Sequence, residues 1–177
     1  MSGQSPKFNP AVLPVEFMKR FESTDANEPR HFLYPGQVFV TAEPITISTI
    51  LGSCAAVCLW DMHKRAGGMN HYLLPDGPSE GLNRLRYGNV ANPDLLEKIL
   101  ALGCETRHLR AKIFGGSSAF GGDPLQSLGS RNVELAEQFL RSAGISVVER
   151  DVSGKHGRRL VFRIADGVTA IKNFDQT

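Results

Sequence analysis

The sequence contains few cysteines, no long hydrophobic run and no excess of charge of one sign. Three cysteines in 177 residues do not form the dense, even-numbered pattern of a secreted disulfide framework. No stretch approaches the roughly 18 consecutive apolar residues that a membrane-spanning helix needs. Pro10 and Pro14 interrupt the apolar residues near the N-terminus, so this segment does not read as a signal peptide. We therefore expect a cytoplasmic protein with free thiols and no membrane insertion.

The charge balance argues against a nucleic-acid partner. Twenty Lys and Arg residues against eighteen Asp and Glu residues give a formal net charge of +2, whereas nucleic-acid binding needs a concentrated basic face. A chain of this length can bury roughly 70% of the surface that its unfolded form exposes, without disulfides or a structural metal. We predict one domain over residues 31–177, preceded by a mobile N-terminal arm over residues 1–30 with a short helix at 15–21.

The hydrophobic pattern predicts strands on both sides of two interior helices. Strands are predicted at residues 37–41, 45–51, 109–114, 145–149, 159–164 and 168–172. Helices are predicted from Asn92, as N-cap, to Gly103 and over residues 132–143. The apolar runs 54–60 and 67–74 flank a polar tip and predict a hairpin. The polar connection 76–91 and the glycine-containing loop 115–122 are candidates for the rim of a substrate site.

The predicted hairpin brings a cysteine and a histidine together. If its strands pair about the bond between Met62 and His63, Cys54 lies opposite His71. Directly opposed residues have Cβ atoms about 5 Å apart, close enough for an imidazole to take a thiol proton. The register is an assumption, and a shift of one residue would move the two side chains to opposite faces.

Both residues also have a purely structural interpretation. A cysteine in an apolar run is more often a small buried hydrophobe than a nucleophile, and Cys58 and Cys104 fit that description. A histidine in a core strand often only satisfies a hydrogen bond, which is the default for His71. Cys54 differs because Gly52 comes shortly before it, and a glycine lets backbone N–H groups gather near a thiol, as an oxyanion site requires.

Metal and cofactor signatures are weak. The cysteines and histidines at positions 54, 58, 63 and 71 have the spacing C-x3-C-x4-H-x7-H, which differs from the two close pairs of a zinc finger. The glycine-rich loop contains neither G-x-G-x-x-G after a strand nor G-x-x-x-x-G-K-[ST]. We expect no metal and no cofactor.

The most specific signal is the combination of LGSC at 51–54 with GGMNH at 67–71. Together with LYPG at 33–36, KIFGG at 112–116 and GSRNV at 129–133, these motifs resemble the signature of the CheD family of chemoreceptor glutamine deamidases. The resemblance runs from about His31 to Lys172. It implies an α/β (α+β) sandwich of packed mixed β-sheets flanked by helices, similar to the catalytic domain of cytotoxic necrotising factor toxins.

The resemblance also implies a chemistry and partners. It makes Cys54 the nucleophile and His71 the general base of a cysteine-dependent protein-glutamine glutaminase that releases ammonia and needs no cofactor. A third, hydroxyl-bearing member six positions before the cysteine falls on Ser48, with Thr49 as the neighbouring candidate; regular strand parity with Cys54 favours Ser48. The implied substrates are methyl-accepting chemotaxis receptors. The alternative is a regulatory binding module that stimulates a CheC-type phosphatase of the response regulator CheY.

Overall fold

A computed structural model describes residues 29–118, 123 and 126–174. Within these residues the strands are β1 Arg30–Phe32, β2 Gln37–Thr41, β3 Thr46–Leu51, β4 Ala55–Asp61, β5 Ala66–His71, β6 Leu109–Gly115, β7 Ser146–Val152, β8 Arg158–Arg163 and β9 Thr169–Asn173. The helices are α1 Gly88–Ala101 and α2 Leu128–Ser142, with short 3-10 turns at Arg84–Arg86 and Thr106–His108. Residues 1–28 of the arm predicted at 1–30, with its predicted helix, and most of loop 119–125 lie outside the described residues. Arg30, the last residue of the predicted arm, begins β1.

The strands form two mixed sheets, and the predicted combination of two sheets and two helices is confirmed. One sheet has the order β1-β3-β8-β9 and the other the order β2-β5-β4-β6-β7. The pairs β1 with β3 and β6 with β7 are parallel, while the other pairs are antiparallel. No helix within the described residues is long and apolar enough to span a membrane.

Strand β4 is the central strand of the five-stranded sheet and is buried on both faces. Its residues alternate: Ala56 and Cys58 pack between the two sheets, whereas Val57 and Leu59 pack against the helices. This two-sided burial explains why the sequence shows a continuous apolar run here instead of alternation. Each large aliphatic side chain buried in this way contributes roughly 1.5–3 kcal/mol.

The hairpin of β4 and β5 forms, but its register differs from the assumed one by two residues. The pairs are Cys58 with Met69, Leu59 with Gly68, Trp60 with Gly67 and Asp61 with Ala66. In this register Ala56, not Cys54, stands across from His71, so the assumed pairing was wrong. Because the shift is an even number of residues, the same strand positions still face the space between the sheets: Ala56, Cys58 and Met69 pack there, and Cys54 packs against the same cluster.

The turn of this hairpin accounts for the shift. Asp61 remains in the strand, and its Oδ1 accepts hydrogen bonds from the backbone N–H groups of His63, at 2.8 Å, and Lys64, at 3.1 Å. Arg65 then takes a left-handed conformation with φ 51° before β5 begins. The loop therefore centres one residue further along the chain than predicted.

Helix α1 begins five residues earlier than predicted, and helix α2 begins four residues earlier. Helix α1 begins at Gly88, whose N–H donates to the carbonyl of Leu74, so Pro93 lies inside the helix. Helix α2 begins after Ser127, whose side chain accepts the N–H of Ser130 as an N-cap. Because α2 begins at Leu128, Asn132 lies on the buried face of this helix and not at its N-terminus, where it was predicted.

Candidate active site

His71 is the last residue of β5, and only 1% of its surface is exposed. Its Nδ1 lies 2.8 Å from Oγ1 of Thr49, and the same hydroxyl lies 2.7 Å from the carbonyl oxygen of Leu33. A hydroxyl carries one proton and a carbonyl can only accept. Thr49 therefore donates to Leu33 and accepts from Nδ1–H of His71, which assigns the tautomer with its lone pair on Nε2.

The Nε2 atom of His71 is buried and has no hydrogen-bond partner among the described residues. Burial lowers the pKa of His71 to about 4, although the nearby carbonyl of Leu33 acts in the opposite direction. The imidazole is therefore neutral near pH 7 with a free lone pair, which is the state that a general base requires.

The turn after β1 holds this histidine from both sides. Leu33, at its beginning, accepts the Thr49 hydroxyl, and Gly36 donates its N–H to the carbonyl of His71 at 2.8 Å. Gly36 has a φ of +81°, a conformation that glycine adopts at little cost. The LYPG motif thus fixes both the ring and the backbone of His71.

Cys54 is half-buried on the connection between β3 and β4. The carbonyls of this connection are all held: Gly52 accepts from Ser117 N–H at 2.9 Å, Ser53 from Asn132 Nδ2 at 2.9 Å, and Cys54 from Gly116 N–H at 2.8 Å. The N–H groups of Ser53 and Cys54 donate to no other residue in the described part of the chain. The N–H of Cys54 acts on the thiol of the same residue and lowers its pKa.

The close approach of β6 to Cys54 depends on a glycine. Gly115 has a φ of +103°, and a Cβ at this position would lie 2.2 Å from the carbonyl oxygen of Cys54. By contrast, Gly52 has no left-handed φ, and the nearest atom to a Cβ there would be Ser117 Oγ at 3.9 Å. The glycine that shapes the cysteine segment is therefore on the neighbouring strand, not in the segment itself.

The thiol of Cys54 is neutral in the folded protein. Burial raises its pKa, and the backbone N–H of Cys54 offsets only part of that effect. Cys54 packs at the edge of the cluster between the sheets that also contains Met69, two residues before His71 in β5. The site thus combines a neutral thiol with a neutral imidazole at the open end of the hairpin.

The structure brings Thr49, and not Ser48, to His71. Thr49 is fully buried on the inner face of β3 with Ile47 and Leu51, whereas Ser48 is half-buried on the opposite face. The parity argument from Cys54 does not carry over, because residues 52–54 connect strands that belong to different sheets.

The two remaining cysteines are core residues, as predicted. Cys58 packs between the sheets and Cys104 beside the helices, and burial raises the pKa of both thiols. His63 lies at the hairpin turn, with its ring 4.2 Å from that of His108. No group of three or more potential metal ligands occurs among the residues that the structure describes.

Asn132 is a site residue that the sequence reasoning missed. Its side chain is fully buried and donates to the carbonyls of Ser53 and Leu73, both at 2.9 Å. A signal was present in the sequence: Asn132 interrupts the otherwise small or apolar face of α2. The buried members of that face are Gly129, Asn132, Val133, Ala136 and Leu140.

Comparison with known proteins gives consistent results. The family model described as CheD chemotactic sensory transduction matches residues 73–173. A protein of Trichlorobacter lovleyi named "Probable chemoreceptor glutamine deamidase CheD" is 43% identical over 80% of this chain and 89% of its own. A Rhodospirillum rubrum protein of the same name is 44% identical over 81% of this chain and 82% of its own.

Similarity to solved structures is lower. The hypothetical protein YfiH of Bacillus licheniformis has a TM-score of 0.47 and 16% identity, over 76% of this chain and 67% of that one. A TM-score below 0.5 does not establish a shared fold, so the assignment rests on the sequence comparisons. By the family model and by the identity with these relatives over most of its length, the chain belongs to the CheD family.

Proposed function

We propose that the protein is a cysteine-dependent protein-glutamine deamidase that converts glutamines of methyl-accepting chemotaxis receptors to glutamates in the cytoplasm. Its membership of the CheD family and the names of its relatives support this substrate class. The observation that carries the proposal is the hydrogen bond from His71 to Thr49, which leaves a buried Nε2 lone pair, unpartnered among the described residues, at the end of the hairpin where Cys54 lies.

In the first half of the proposed reaction, the Cys54 thiol transfers its proton to Nε2 of His71 as sulfur attacks the side-chain carboxamide carbon of the substrate. The C–S bond forms and the carbonyl π electrons move to oxygen, giving an oxyanion that the N–H groups of Ser53 and Cys54 stabilise. His71 returns the proton to the nitrogen, the C–N bond breaks and ammonia departs. The substrate side chain is then bound to Cys54 as a thioester.

In the second half, His71 takes a proton from water as the water oxygen attacks the thioester carbon. Collapse of the tetrahedral intermediate breaks the C–S bond, and the departing Cys54 sulfur recovers the proton from His71. The product is glutamate, and each turnover adds one negative charge to the receptor. Thr49 acts as a positioning residue because it touches His71 and not the reacting atoms.

The neutral state of both groups favours proton transfer during attack over a preformed thiolate and imidazolium pair. Burial raises the pKa of Cys54 and lowers that of His71, so both shifts disfavour the charged pair before substrate binds. The likeness to the catalytic domain of cytotoxic necrotising factor toxins stays a prediction of the sequence resemblance.

The test uses purified receptor cytoplasmic fragment with wild-type protein, Cys54→Ala and the buried-cysteine control Cys58→Ala. Deamidation replaces NH2 by OH and raises the fragment mass by about one unit per site, whereas proteolysis would yield fragments. We expect ammonia release and the mass shift with wild type and Cys58→Ala, and neither with Cys54→Ala. Deamidation by Cys54→Ala at the wild-type rate would contradict the proposal.

The regulatory alternative, stimulation of a CheC-type phosphatase of CheY, makes the opposite prediction in cells. If Cys54→Ala retained full chemotactic function, binding and not catalysis would be the main role. The proposal instead expects adaptation to fail in the Cys54→Ala strain, although the protein accumulates at its normal level.

A further inference from the structure

We propose that Asn132 is a positioning residue that holds the nucleophile and the base in their relative geometry, an inference that rests on the proposed function. The Nδ2 group of Asn132 lies 2.9 Å from the carbonyl oxygen of Ser53 and 2.9 Å from that of Leu73. Ser53 immediately precedes Cys54, and Leu73 follows His71 by two residues. One amide group on α2 therefore ties together the two segments that carry the reacting side chains.

The contacts require the amide and exclude a carboxylate. Both partners of Nδ2 are carbonyl oxygens, which can only accept, so two N–H donors must face them. The Oδ1 atom of Asn132 is buried and has no hydrogen-bond partner among the described residues. A buried polar atom in this state destabilises the fold, so the residue is a poor choice for packing alone.

The pairing between β4 and β5 is interrupted close to the residues that Asn132 contacts. Regular pairing ends at Cys58 with Met69, and the next contact is the single bridge between Ala55 and Tyr72. His71 lies in the intervening gap, where it pairs with Gln37 of β2 but with no residue of β4. The two hydrogen bonds that Asn132 donates from α2 hold this end of the hairpin, where the strand pairing is incomplete.

The backbone of Asn132 reinforces the tie. Its carbonyl accepts a hydrogen bond from the hydroxyl of Tyr72, the residue between His71 and Leu73. The backbone of Tyr72 in turn pairs with Ala55, the residue after Cys54. The contacts of Asn132 thus reach both segments at the open end of the hairpin, next to the bridge between Ala55 and Tyr72.

This geometry predicts a specific kinetic effect. Loss of the amide donors leaves the bridge between Ala55 and Tyr72 as the remaining link between the segments of Cys54 and His71, so their relative position becomes less fixed, while the surface that receives the substrate keeps its composition. We expect Asn132→Asp, which keeps the shape but replaces the donors by an acceptor, to lower kcat at least tenfold and to change KM less than twofold. Leu140→Ala, buried on the same face of α2 two turns further along, should lower the melting temperature but leave kcat within twofold when both are assayed well below their melting temperatures.

A second measurement is independent of the substrate. The rate at which iodoacetamide alkylates Cys54 is followed by mass spectrometry in wild type, His71→Ala, Asn132→Ala and the double variant. If Asn132 acts through the geometry of the pair, Asn132→Ala should change the alkylation rate in the wild-type background and have no further effect in the His71→Ala background. A purely structural residue would instead produce the same change in both backgrounds.

The outcomes separate the two proposals. If wild type releases no ammonia, or Cys54→Ala is as active as wild type, the deamidase proposal fails, and the alkylation cycle still tests the role of Asn132. If wild type is an active deamidase, the role of Asn132 is overturned by a kcat of Asn132→Asp within twofold of Leu140→Ala. Additive alkylation effects overturn it as well. Should Asn132→Asp fail to fold, Asn132→Ala is assayed for kcat in its place.

Discussion

The tautomer of His71 is set by the hydroxyl of Thr49, which has only one proton to donate. Because Leu33 takes the proton of Thr49, the ring of His71 must present Nδ1–H to Thr49 and its lone pair at Nε2. A carboxylate at the position of Thr49 would also orient the ring, but its charge would raise the pKa of His71. A neutral partner leaves burial as the dominant influence on that pKa.

The positioning role of Thr49 is tested against that of Ser48. Thr49→Val keeps the shape of the side chain but leaves Nδ1 of the buried His71 without an acceptor, a loss of roughly 1–3 kcal/mol. If this loss falls on the transition state, kcat decreases roughly 5- to 160-fold. Ser48→Ala, on the opposite face of β3, should change kcat less than twofold. A large decrease with Ser48→Ala and none with Thr49→Val would return the role to Ser48.

The pKa of His71 predicts the acid limb of the activity profile. In the folded protein this pKa is about 4 instead of the ordinary 6.5. We expect kcat/KM to remain constant on its acid side from pH 7 down to about pH 5, and to fall as pH approaches 4 and His71 becomes protonated. An acid limb centred near pH 6.5 would show that the imidazole is not shielded in this way.

The same shift makes stability depend on pH with a definite sign. Because the folded pKa is depressed, the unfolded chain binds the proton first as pH falls, so stability is lost between about pH 6.5 and pH 4. Urea unfolding at several pH values should show this loss, on the order of 3 kcal/mol, in wild type and not in His71→Gln. Equal slopes for the two proteins over this range would contradict the assignment.

Among the secondary-structure elements, helix α2 is the one that connects the site to the rest of the fold. Its first turn packs at backbone distance on the end of β6: a Cβ on Gly129 would lie 2.4 Å from the carbonyl oxygen of Gly116. One turn later Asn132 reaches the carbonyls of Ser53 and Leu73. The close approach at Gly129 therefore allows the contacts of Asn132.

Replacing Gly129 by alanine should destabilise the protein, which is the opposite of the usual effect of this substitution in a helix. Alanine normally stabilises a helix interior by about 1 kcal/mol relative to glycine. At Gly129 the added Cβ would meet backbone atoms, so we expect Gly129→Ala to lower both the melting temperature and kcat. Ser142→Ala, at an exposed position of the same helix, provides the control and should leave both unchanged or slightly raise the melting temperature. A more stable and fully active Gly129→Ala protein would contradict the packing described here.

At the scale of the whole molecule, the site lies where the two sheets meet. Thr49 belongs to the four-stranded sheet and His71 to the five-stranded sheet, so their hydrogen bond exists only when the sheets pack together. The inter-sheet cluster around Phe162 and Met69 supports this packing. The cluster beneath the helices, which includes Leu95 of α1, supports the other face of the five-stranded sheet.

The two clusters should differ in how strongly they affect the site. Phe162→Ala in the inter-sheet cluster and Leu95→Ala in the helix-side cluster should each destabilise the fold by about 2–5 kcal/mol. Only Phe162→Ala loosens the contact between the sheets, so at a temperature well below both melting points it should lower kcat more than Leu95→Ala does. Equal kcat values for the two variants would show that the site does not depend on the packing between the sheets.

Much of the fold and part of the site could be predicted from the sequence because the relevant signals are local. Alternation and β-branched residues indicated eight of the nine described strands to within a few residues, and the short β1 was missed because three residues carry no periodicity. The helix starts were misplaced because Gly88 and Ser127 gain their partners from the surrounding fold and from cap geometry. The hairpin register depended on how the side chain of Asp61 shapes the turn.

Local sequence patterns were enough to locate the strand and helix segments, to predict the burial of Cys58 and Cys104, and to recognise the chain as a CheD family member. The packing of the sheets and helices was needed to establish which hydroxyl meets His71, which ring nitrogen carries the proton, and that Asn132 joins the segments of Cys54 and His71. The physical reason is distance along the chain: periodicity describes neighbours within a few residues. The contacts of Thr49 with His71 and of Ser53 with Asn132 span 22 and 79 residues, and they form only when two sheets and a helix pack together.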